Sequence, residues 1–596
     1  MIDRTNIFIF PYQALDKDNS GFLDREEFPK SFRETLLFMI WKQKGAMDIL
    51  KNNRFIHLKQ VLARAVDAIN VTKMKDTLVE NASIFQVGGL PGHSIKEHLI
   101  TLKTVMARME STNKGIIFLI VDIISFFDKE DIFDCLETME EINVNKKAAR
   151  IWYLMNRSTK ITVKTPCGNT ESAELSNCVG QGSASAGLVS ATNLDRGIQK
   201  WFNESDKVMS FNTIRIQPMS YQDDTGSICD GAIMARDQAK RIDLMLREKV
   251  LDAHPDKSGY LLLGSNKFIN NQKKEINKNP IKFEQFDLKE KMSDKYLGQV
   301  IEKNLAKSAL ATVQDRSGKI KGAAIEIKSI IEDYKMQHFG GLMAAWELWE
   351  RALVPSLLSG AGTWLGLTKE TIDLCDNLQN FYWRVILKVP QSCPKVALLC
   401  ETSTMGMKWR IWERKCLLLK QILELEDTAL AKIITKEADE NGWPGLAQEV
   451  RKICHDINIP DINSTIVTKR QIKQAIYYSH YNNMKENTSN SNKLEDIKYE
   501  DFHSFRPYFN YKNINNARMA FRIRTNMVEN IPANFKGKYD HENDLLCKFC
   551  PNVQFTQTHS KACPGMKEIR NDLNMNNMED LVIFFNRYLE EESRKK

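Results

Sequence analysis

The sequence has no apolar run long enough to cross a lipid bilayer. Its longest such run, GIIFLIVDIISFF at residues 115–127, is too short for a membrane-spanning helix and carries Asp122 in its middle. The opening residues, MIDRTNIFIFPY, contain an early acidic residue and only a short apolar stretch, unlike a secretory signal. These absences predict an intracellular protein without a membrane partner.

The sequence also lacks a dense cysteine framework, an internal repeat and a large excess of one charge. Most of the 12 cysteines stand apart, as free thiols do in a reducing compartment, and only Cys547, Cys550 and Cys563 lie close together. The net charge of +8 permits an anionic partner such as nucleic acid but does not require one. A length of 596 residues, 42% hydrophobic and 27% charged, is typical of a globular protein with roughly three or four domains.

Periodicity and turn signals predict a coarse secondary structure. They indicate helices and turns over 30–115, a buried strand at GIIFLIVDI, and two short strands joined by a tight turn within IRIQPMSYQDDTGSICDG at 214–231. Residues 303–425 are predicted to be helical, and the polar stretch 484–498 is predicted to be a linker or an exposed loop.

Three carboxylates occupy positions where an ordinary fold has little use for them. Asp122 interrupts the predicted buried strand, where a lone carboxylate is costly unless something compensates it, and Asp223 and Asp224 stand side by side at the predicted turn. Singly, such residues are usually surface, capping or turn residues. Brought together from two strands, they would need a divalent cation such as Mg²⁺, which prefers hard oxygen ligands. Two such ions about 4 Å apart are typical of nucleotide addition, in which a 3′-hydroxyl attacks and pyrophosphate leaves.

Seven segments, in order, resemble the motifs of reverse transcriptases. DIISFFD and YQDD are similar to the first and third palm motifs, and NCVGQGSASAGLVSATNLDRG at 177–197 resembles the second. The remaining four resemble the fourth and fifth palm motifs and the finger motifs: HPDKSGYLLLG at 254–264, KYLGQVI at 295–301, NNRFIHLK at 52–59 and QVGGLPGHSIKEHL at 86–99. Residues 351–415, with an L-x-G-x-x-x-W and a V-P-x-x-x-P block, resemble the thumb of non-LTR retrotransposon (LINE-type) polymerases.

This resemblance covers about residues 30–590 and implies an α+β right-hand polymerase with fingers, a palm with an antiparallel sheet, a helical thumb and a small C-terminal CCHC zinc unit. The predicted regions are an N-terminal extension and fingers at 1–115, a palm with finger insertions at 116–302, a helical thumb at 303–425, a basic connector at 426–535, and the zinc-knuckle-like unit with its tail at 536–596.

The resemblance also implies roles for single residues. Asp122 and Asp223 are the expected ligands of two catalytic Mg²⁺ ions, with Asp224 as a supporting carboxylate. Lys257 matches a lysine proposed to protonate the leaving pyrophosphate. The expected nucleotide contacts are Phe127, as an aromatic gate against a 2′-hydroxyl, and Gln181, Gly182 and Arg54. For Lys257 and Arg54, a solvated surface cation is an equal alternative.

Two further patterns suggest metal ions. Cys547-x2-Cys550-x8-His559-x3-Cys563 offers four ligands suited to a structural Zn²⁺ and resembles the cysteine-histidine unit near the end of many non-LTR polymerases. The loop DKDNSGFLDREE at 16–27 places oxygen side chains at the Ca²⁺ positions of an EF-hand: Asp16, Asp18, Ser20, Asp24 and Glu27. Nearby prolines disfavour the flanking helices of an EF-hand, so an acidic surface turn is the favoured interpretation of this loop.

Just before the zinc pattern, NARMAFRIRTNM at 516–527 spaces Arg518, Arg522 and Arg524 among apolar residues. Arg518 and Arg522 would share one face of a helix. An RNA-phosphate contact and an ordinary amphipathic surface helix are equally compatible with this spacing.

The combined prediction is an RNA-directed DNA polymerase of non-LTR type that extends a DNA 3′-hydroxyl on an RNA template. Its expected partners are template RNA, primer or target DNA and dNTPs. Relatives commonly carry an endonuclease, which this sequence does not offer, so the expectation is either a truncated element product or a chain that depends on nicks made by a separate endonuclease. The resemblance implies a nuclear location, although no clear targeting signal is present. The alternatives are a catalytically silent or domesticated nucleic-acid-binding relative, and a calcium-binding interaction protein acting through 16–27.

Overall fold

The computed structural model describes residues 30–42, 45–49, 52–165, 168–175, 179–203, 205–333, 340–463, 466–489, 506–531 and 545–594. The predicted calcium loop at 16–27 lies outside these ranges. The chain forms two compact units: Met1–Ser308 with Ile422–Gln448, and Ala309–Gln421 with Glu449–Lys596. The predicted division into five regions stays a prediction.

The described strands all belong to the first unit. In chain order they are β1 Glu34–Trp41, β2 Asn53–Lys59, β3 Gly115–Val121, β4 Thr159–Thr165, β5 Gly168–Asn169, β6 Ala173–Leu175, β7 Met209–Phe211, β8 Ile214–Ile216, β9 Met219–Tyr221, β10 Asp224–Cys229, β11 Gly259–Gly264, β12 Lys289–Lys291, β13 Asp294–Tyr296 and β14 Gln299–Ile301.

Two five-stranded sheets organise the first unit. One has the order β2-β1-β4-β5, with β6 also on β4, and the other has the order β12-β11-β3-β10-β9. β3 lies in the middle of the second sheet, antiparallel to both β10 and β11, and all seven of its residues are buried. The prediction of a buried strand at this position is confirmed.

The first sheet corrects the prediction that 30–115 is helical. β1 and β2 are antiparallel neighbours, and β1 also pairs in parallel with β4, far along the chain. Their sequences, ETLLFMIW and NRFIHLK, are rich in the apolar and aromatic residues that suit a pleated sheet. β4 joins this sheet from a distant part of the sequence, and no local sequence pattern indicates that it pairs with β1.

Some helices of the first unit cover the second sheet. The described α-helices of this unit are Val61–Glu80, Ile95–Ser111, Phe126–Lys129, Ile132–Glu141, Lys146–Asn156, Ala186–Phe202, Ala232–Glu248, Asn266–Lys278 and Leu430–Glu440. Side chains from Ala186–Phe202 and Ala232–Glu248 form one apolar core with β3, in which Ile198 and Ala239 are fully buried. Each large apolar side chain buried in this way stabilises the fold by about 1.5–3 kcal/mol.

The described part of the second unit is helical, and most of the described residues of 303–425 lie in helices, as predicted. Its helices, with two that begin just before the unit boundaries, are Leu305–Glu332, Gly341–Leu348, Val354–Leu357, Lys369–Leu387, Lys395–Glu401, Met407–Leu423, Leu446–Asp456, Lys469–Ser489, Ile514–Arg524, Gln557–Ala562 and Met578–Arg594. Together, the sheets and helices confirm the predicted α+β class. Within the described ranges, no helix has the length and hydropathy that a membrane span needs.

The prediction of a linker at 484–498 is wrong for its first part. The helix Lys469–Ser489 continues through 484–489, because Met484 and Thr488 are buried and so extend its inner face. Residues 490–498 lie outside the described ranges.

Candidate functional site

The second sheet brings Asp122 and Asp224 together at one end of its strands β3 and β10. Val121, the last residue of β3, pairs with Thr225 of β10, so the next register position places Asp122 across from Asp224. The main chain of Asp122 is held from a third segment. Its N–H donates to Ser258 Oγ at 3.2 Å, and its carbonyl accepts from the N–H of His254 at 2.8 Å. Three segments that are distant in sequence therefore meet at this end of the sheet.

Asp223 lies beside them in the turn that joins β9 to β10. β9 ends at Tyr221 and pairs with Asp224 in antiparallel register, which leaves Gln222 and Asp223 as the turn residues. This agrees with the predicted pair of short strands joined by a tight turn. Asp122, Asp223 and Asp224 are called the carboxylate site below.

The three charges of the carboxylate site oppose one another. Desolvation, together with the negative charges of Asp223 and Asp122, raises the pKa of Asp224 to about 6, although Asp224 is exposed by surface area. Desolvation also raises the pKa of Asp223, and the charge of Asp122 adds to that shift. Carboxylate oxygens are hard donors of the kind that Mg²⁺ prefers, so the chemistry of these side chains suits this ion.

Two predicted cations lie at the site. Lys257 Nζ is 2.9 Å from Asp122 Oδ1 and 3.2 Å from Oδ2, with 59% of its side chain exposed, so the pair is screened by water. Arg54, exposed on β2, is close enough for its charge to lower the pKa of Asp223. Both residues therefore contribute positive charge to the carboxylate site.

Gln181 and Gly182 form a turn pressed onto β2, the edge strand of the first sheet. The carbonyl of Gln181 accepts from the N–H of His57 at 2.9 Å. Gly182 has φ of 108°, a backbone conformation that strains residues with a Cβ, and a Cβ there would lie 3.3 Å from Ile56 Cγ2, so the position favours glycine. Burial lowers the pKa of His57 to about 4, with Lys59 adding to the shift, and the ring is neutral near pH 7.

Phe127 is linked to the same turn through its backbone. Its carbonyl accepts from the N–H of Val179 at 3.0 Å, directly before the glycine-rich segment. The ring is half-buried and makes an edge-to-face contact with Phe126 at 5.2 Å between centroids. The first and second predicted motifs are thus in direct contact.

One functional contact was missed by the sequence prediction. Gln86, within QVGGLPGHSIKEHL, accepts hydrogen bonds through Oε1 from the N–H groups of Gly88 at 2.8 Å and Gln222 at 3.2 Å. Residue 86 also forms a parallel bridge with Ser220 of β9. The Gly-Gly pair was a usable signal, since adjacent glycines often mark a close approach of two backbones.

The predicted zinc residues converge in the second unit. The Sγ atom of Cys563 lies 3.6 Å from that of Cys547 and 3.8 Å from that of Cys550. With His559, their ligand atoms all lie within 4.8 Å of one another. His559 Nε2 is buried without a hydrogen-bond partner among the described residues, as expected of a ring nitrogen available to a metal. These four residues could hold one metal ion.

Local structure explains this convergence. The N–H of Cys547 donates to the carbonyl of Val553 at 2.7 Å, which closes the loop that carries Cys550. Thr556 caps the helix Gln557–Ala562 by accepting from the N–H of His559 at 3.0 Å. The loop and the helix together present the four side chains to one point.

The three arginines of the helix Ile514–Arg524 are held inside the second unit. Arg518 is 2% exposed, donates to the carbonyl of Ile386 at 2.7 Å and pairs with Glu332 at 2.7 Å. Arg522 donates to the carbonyl of Lys388 at 2.6 Å, and Arg524 donates to the buried carboxylate of Glu401 at 2.8 Å. Of the two interpretations of this helix, an RNA-phosphate contact is therefore wrong for Arg518, and the helix is a packed element rather than a surface one.

No protein-family model and no curated protein matches the chain. Among solved structures, the chain is similar to telomerase from Candida albicans in complex with a fragment of telomeric RNA, at a TM-score of 0.33 and 10% identity over 68% of this chain and 67% of that chain. It is also similar to apo telomerase from Candida tropicalis, with a TM-score of 0.32 and 10% identity over 75% of this chain and 68% of that chain. A third similar structure is a form of that enzyme truncated from its C-terminal domain, with a TM-score of 0.32 and 10% identity. That match covers 46% of this chain and 54% of the other chain. Values this low do not assign a family, and the function has to come from the site itself.

Proposed function

We propose that the chain is an RNA-directed DNA polymerase of the non-LTR retrotransposon type. The observation that carries the proposal is the carboxylate site, in which Asp122, directly after β3, and Asp224 occupy the register position next to the Val121–Thr225 pair, and Asp223 adjoins them in the turn. The preference for an RNA template and deoxynucleotides rests on the resemblance of the motifs.

Asp122 and Asp223 would hold Mg²⁺, with Asp224 as a further ligand or as a source of negative charge. When bound, the metal would lower the pKa of a primer 3′-hydroxyl and stabilise the charge on the leaving pyrophosphate. The chain supplies the negative charge in advance, because its main-chain contacts to Ser258 and His254 fix Asp122 before any ligand arrives. Such preorganisation is a principal source of catalysis.

The remaining residues would bind the nucleotide. Lys257, already at Asp122, would be placed to donate its proton to the leaving pyrophosphate oxygen. Arg54 would bind the anionic triphosphate. The Gln181–Gly182 turn allows a close backbone approach to the nucleotide, and Phe127 would exclude a 2′-hydroxyl. The cysteine-histidine group would hold a structural Zn²⁺.

Primer extension tests the proposal. We expect the full chain to extend a DNA primer on an RNA template with dNTPs and Mg²⁺, and we expect Asp223→Asn to lower the rate by at least about 10³-fold, since the metal loses a charged ligand. Asp237→Asn is the matched control, because Asp237 pairs with Arg241 at 2.8 Å on the helix Ala232–Glu248. It should extend at the wild-type rate.

Equal extension by wild type and Asp223→Asn would reject the carboxylate site as the catalytic centre. A folded chain that binds template RNA but extends no primer would instead favour the catalytically silent relative.

A further inference from the structure

The turn that presents Asp223 and Asp224 contains a residue in an unfavourable backbone conformation. Gln222 has φ of 57°, in the left-handed region, which costs a residue other than glycine about 1 kcal/mol. The turn sequence, Tyr-Gln-Asp-Asp, has no glycine at this position. A conformation of this kind persists where the surrounding structure holds it. The neighbours of Gln222 therefore decide how the carboxylates are presented.

Gln86 is one of these neighbours, although it belongs to a distant segment. Its side chain is fully buried, and its Oε1 accepts from the N–H groups of Gln222 and Gly88. The flanking backbone is tied to β9 on both sides of Gln86: Phe85 accepts from the N–H of Ser220 at 2.8 Å, and Val87 donates to the carbonyl of Ser220 at 3.3 Å. The Gln86 amide is thus fixed in place before it contacts the turn.

Two glycines leave room for the contact between Gln86 and the turn. A Cβ on Gly88 would lie 2.2 Å from the backbone nitrogen of Gln222, and one on Gly187 would lie 3.0 Å from Gln222 Nε2. The backbone of Gln222 therefore lies against one glycine and its amide against another. No side chain larger than hydrogen fits beside the turn at Gly88. The glycine there lets the side-chain Oε1 of Gln86 reach the N–H of Gln222.

We propose that Gln86 is a positioning residue that fixes the Asp223–Asp224 turn and so sets the geometry of the metal-binding carboxylates. This inference rests on the proposed function. Gln86 acts as an acceptor, since its Nε2 is buried with no hydrogen-bond partner among the described residues. Without that acceptor, the N–H of Gln222 is left unpaired and the left-handed turn loses a contact that holds it.

The matched comparison is Gln86→Met with Gln238→Met. Both glutamines are fully buried in the first unit, and Gln238 accepts from Ser227 Oγ on β10 and donates to the carbonyl of Lys207 at 3.0 Å, away from the turn. Each variant removes a buried hydrogen-bonding amide at nearly constant volume. A role in packing alone would affect both variants alike.

Mn²⁺ binding by electron paramagnetic resonance reports the carboxylate site without nucleotide addition, and single-turnover extension reports the rate. We expect Gln86→Met to weaken Mn²⁺ binding and to lower the rate by about 10- to 100-fold each, the usual effect of losing a residue that orients a metal ligand. Template RNA affinity should stay within about twofold of wild type. Gln238→Met should lower the melting temperature but change neither quantity by more than about twofold.

A rescue variant distinguishes a positioning role of Gln86 from a role in packing alone. Gln86→Glu keeps an acceptor oxygen at the same place and should extend faster than Gln86→Met. If Gln86→Met does not fold, Gln86→Asn serves the same test, because it keeps the amide but withdraws it by one carbon–carbon bond.

Mn²⁺ affinity and rate within about twofold of wild type in Gln86→Met, or equal losses in Gln238→Met, would overturn the inference. Weakened Mn²⁺ binding in Gln86→Met, together with a wild-type chain that adds no nucleotide, would support the positioning role and reject the polymerase proposal.

Discussion

Glu130 shows how a single buried group makes stability depend on pH. It is 1% exposed and accepts from Asn193 Nδ2 at 3.3 Å. Burial raises the pKa of Glu130 from 4.5 to about 7, against the smaller opposing effect of its hydrogen bonds. In the folded protein the carboxyl group is therefore protonated up to about pH 7, whereas in the unfolded chain it ionises above about pH 4.5.

The sign of the effect follows from these values. Between about pH 4.5 and 7 the unfolded state has released the Glu130 proton and the folded state has kept it, so rising pH favours unfolding. We expect wild type to lose about 2–3 kcal/mol of unfolding free energy over this interval relative to Glu130→Gln, measured by urea denaturation. The exposed neighbour Glu137→Gln should follow wild type, and parallel curves for all three proteins would refute the assignment.

At the scale of elements, the helix Ile514–Arg524 is held by its arginines. Arg518 is buried, pairs with Glu332 and donates to the carbonyl of Ile386, at the end of the helix Lys369–Leu387. Burial lowers the pKa of Arg518, and the pairing with Glu332 opposes that shift. A buried cation with these partners stabilises the packing of helices and is withdrawn from solvent.

Arg518→Met should therefore affect stability rather than RNA binding. The substitution removes the buried hydrogen bond to the carbonyl of Ile386, whereas Glu332 keeps Lys388 at 3.0 Å, so we expect a loss of about 1–3 kcal/mol in unfolding free energy. Filter binding should give a template RNA affinity close to wild type. Lys512→Met, at an exposed position shortly before the helix, is the control and should keep wild-type stability. A large loss of RNA affinity in folded Arg518→Met would restore the phosphate-contact interpretation.

At the scale of the whole molecule, the cysteine-histidine group belongs to the core of the second unit. Cys547 and Cys563 lie in the same buried cluster as Trp349, Trp383 and Phe585. A metal ion bound there would fix the loop and the helix that carry the four ligands, and would thereby stabilise this core. Binding energy at a structural zinc site is available to folding in this way.

We expect wild type to contain about one equivalent of zinc by elemental analysis, and Cys550→Ser to contain none. The variant should melt about 5–10 °C lower, since loss of the ion removes several kcal/mol of stability. Lys548→Ser, an exposed position in the same loop, should keep both the zinc and the melting temperature. Zinc-free wild type, or full zinc content in Cys550→Ser, would refute the site.

Local sequence was sufficient for three patterns that depend on near neighbours. The apolar run of β3, the turn at Gln222–Asp223 and the spacing of Cys547, Cys550, His559 and Cys563 each specify short-range geometry, and the structure agrees with all three. A continuous apolar run favours burial on both faces of a sheet, and closely spaced ligands can meet with little loop-closure entropy.

Only the tertiary structure decided which distant segments meet. The pairing of Val121 with Thr225, the parallel contact of β1 with β4, the Gln86 contact to Gln222 and the internal pairing of Arg518 all join residues far apart in the chain. Such contacts depend on how whole faces of sheets and helices bury one another, which no local periodicity encodes. The sequence therefore determined the chemical groups of the candidate site, and long-range packing determined which of them stand together.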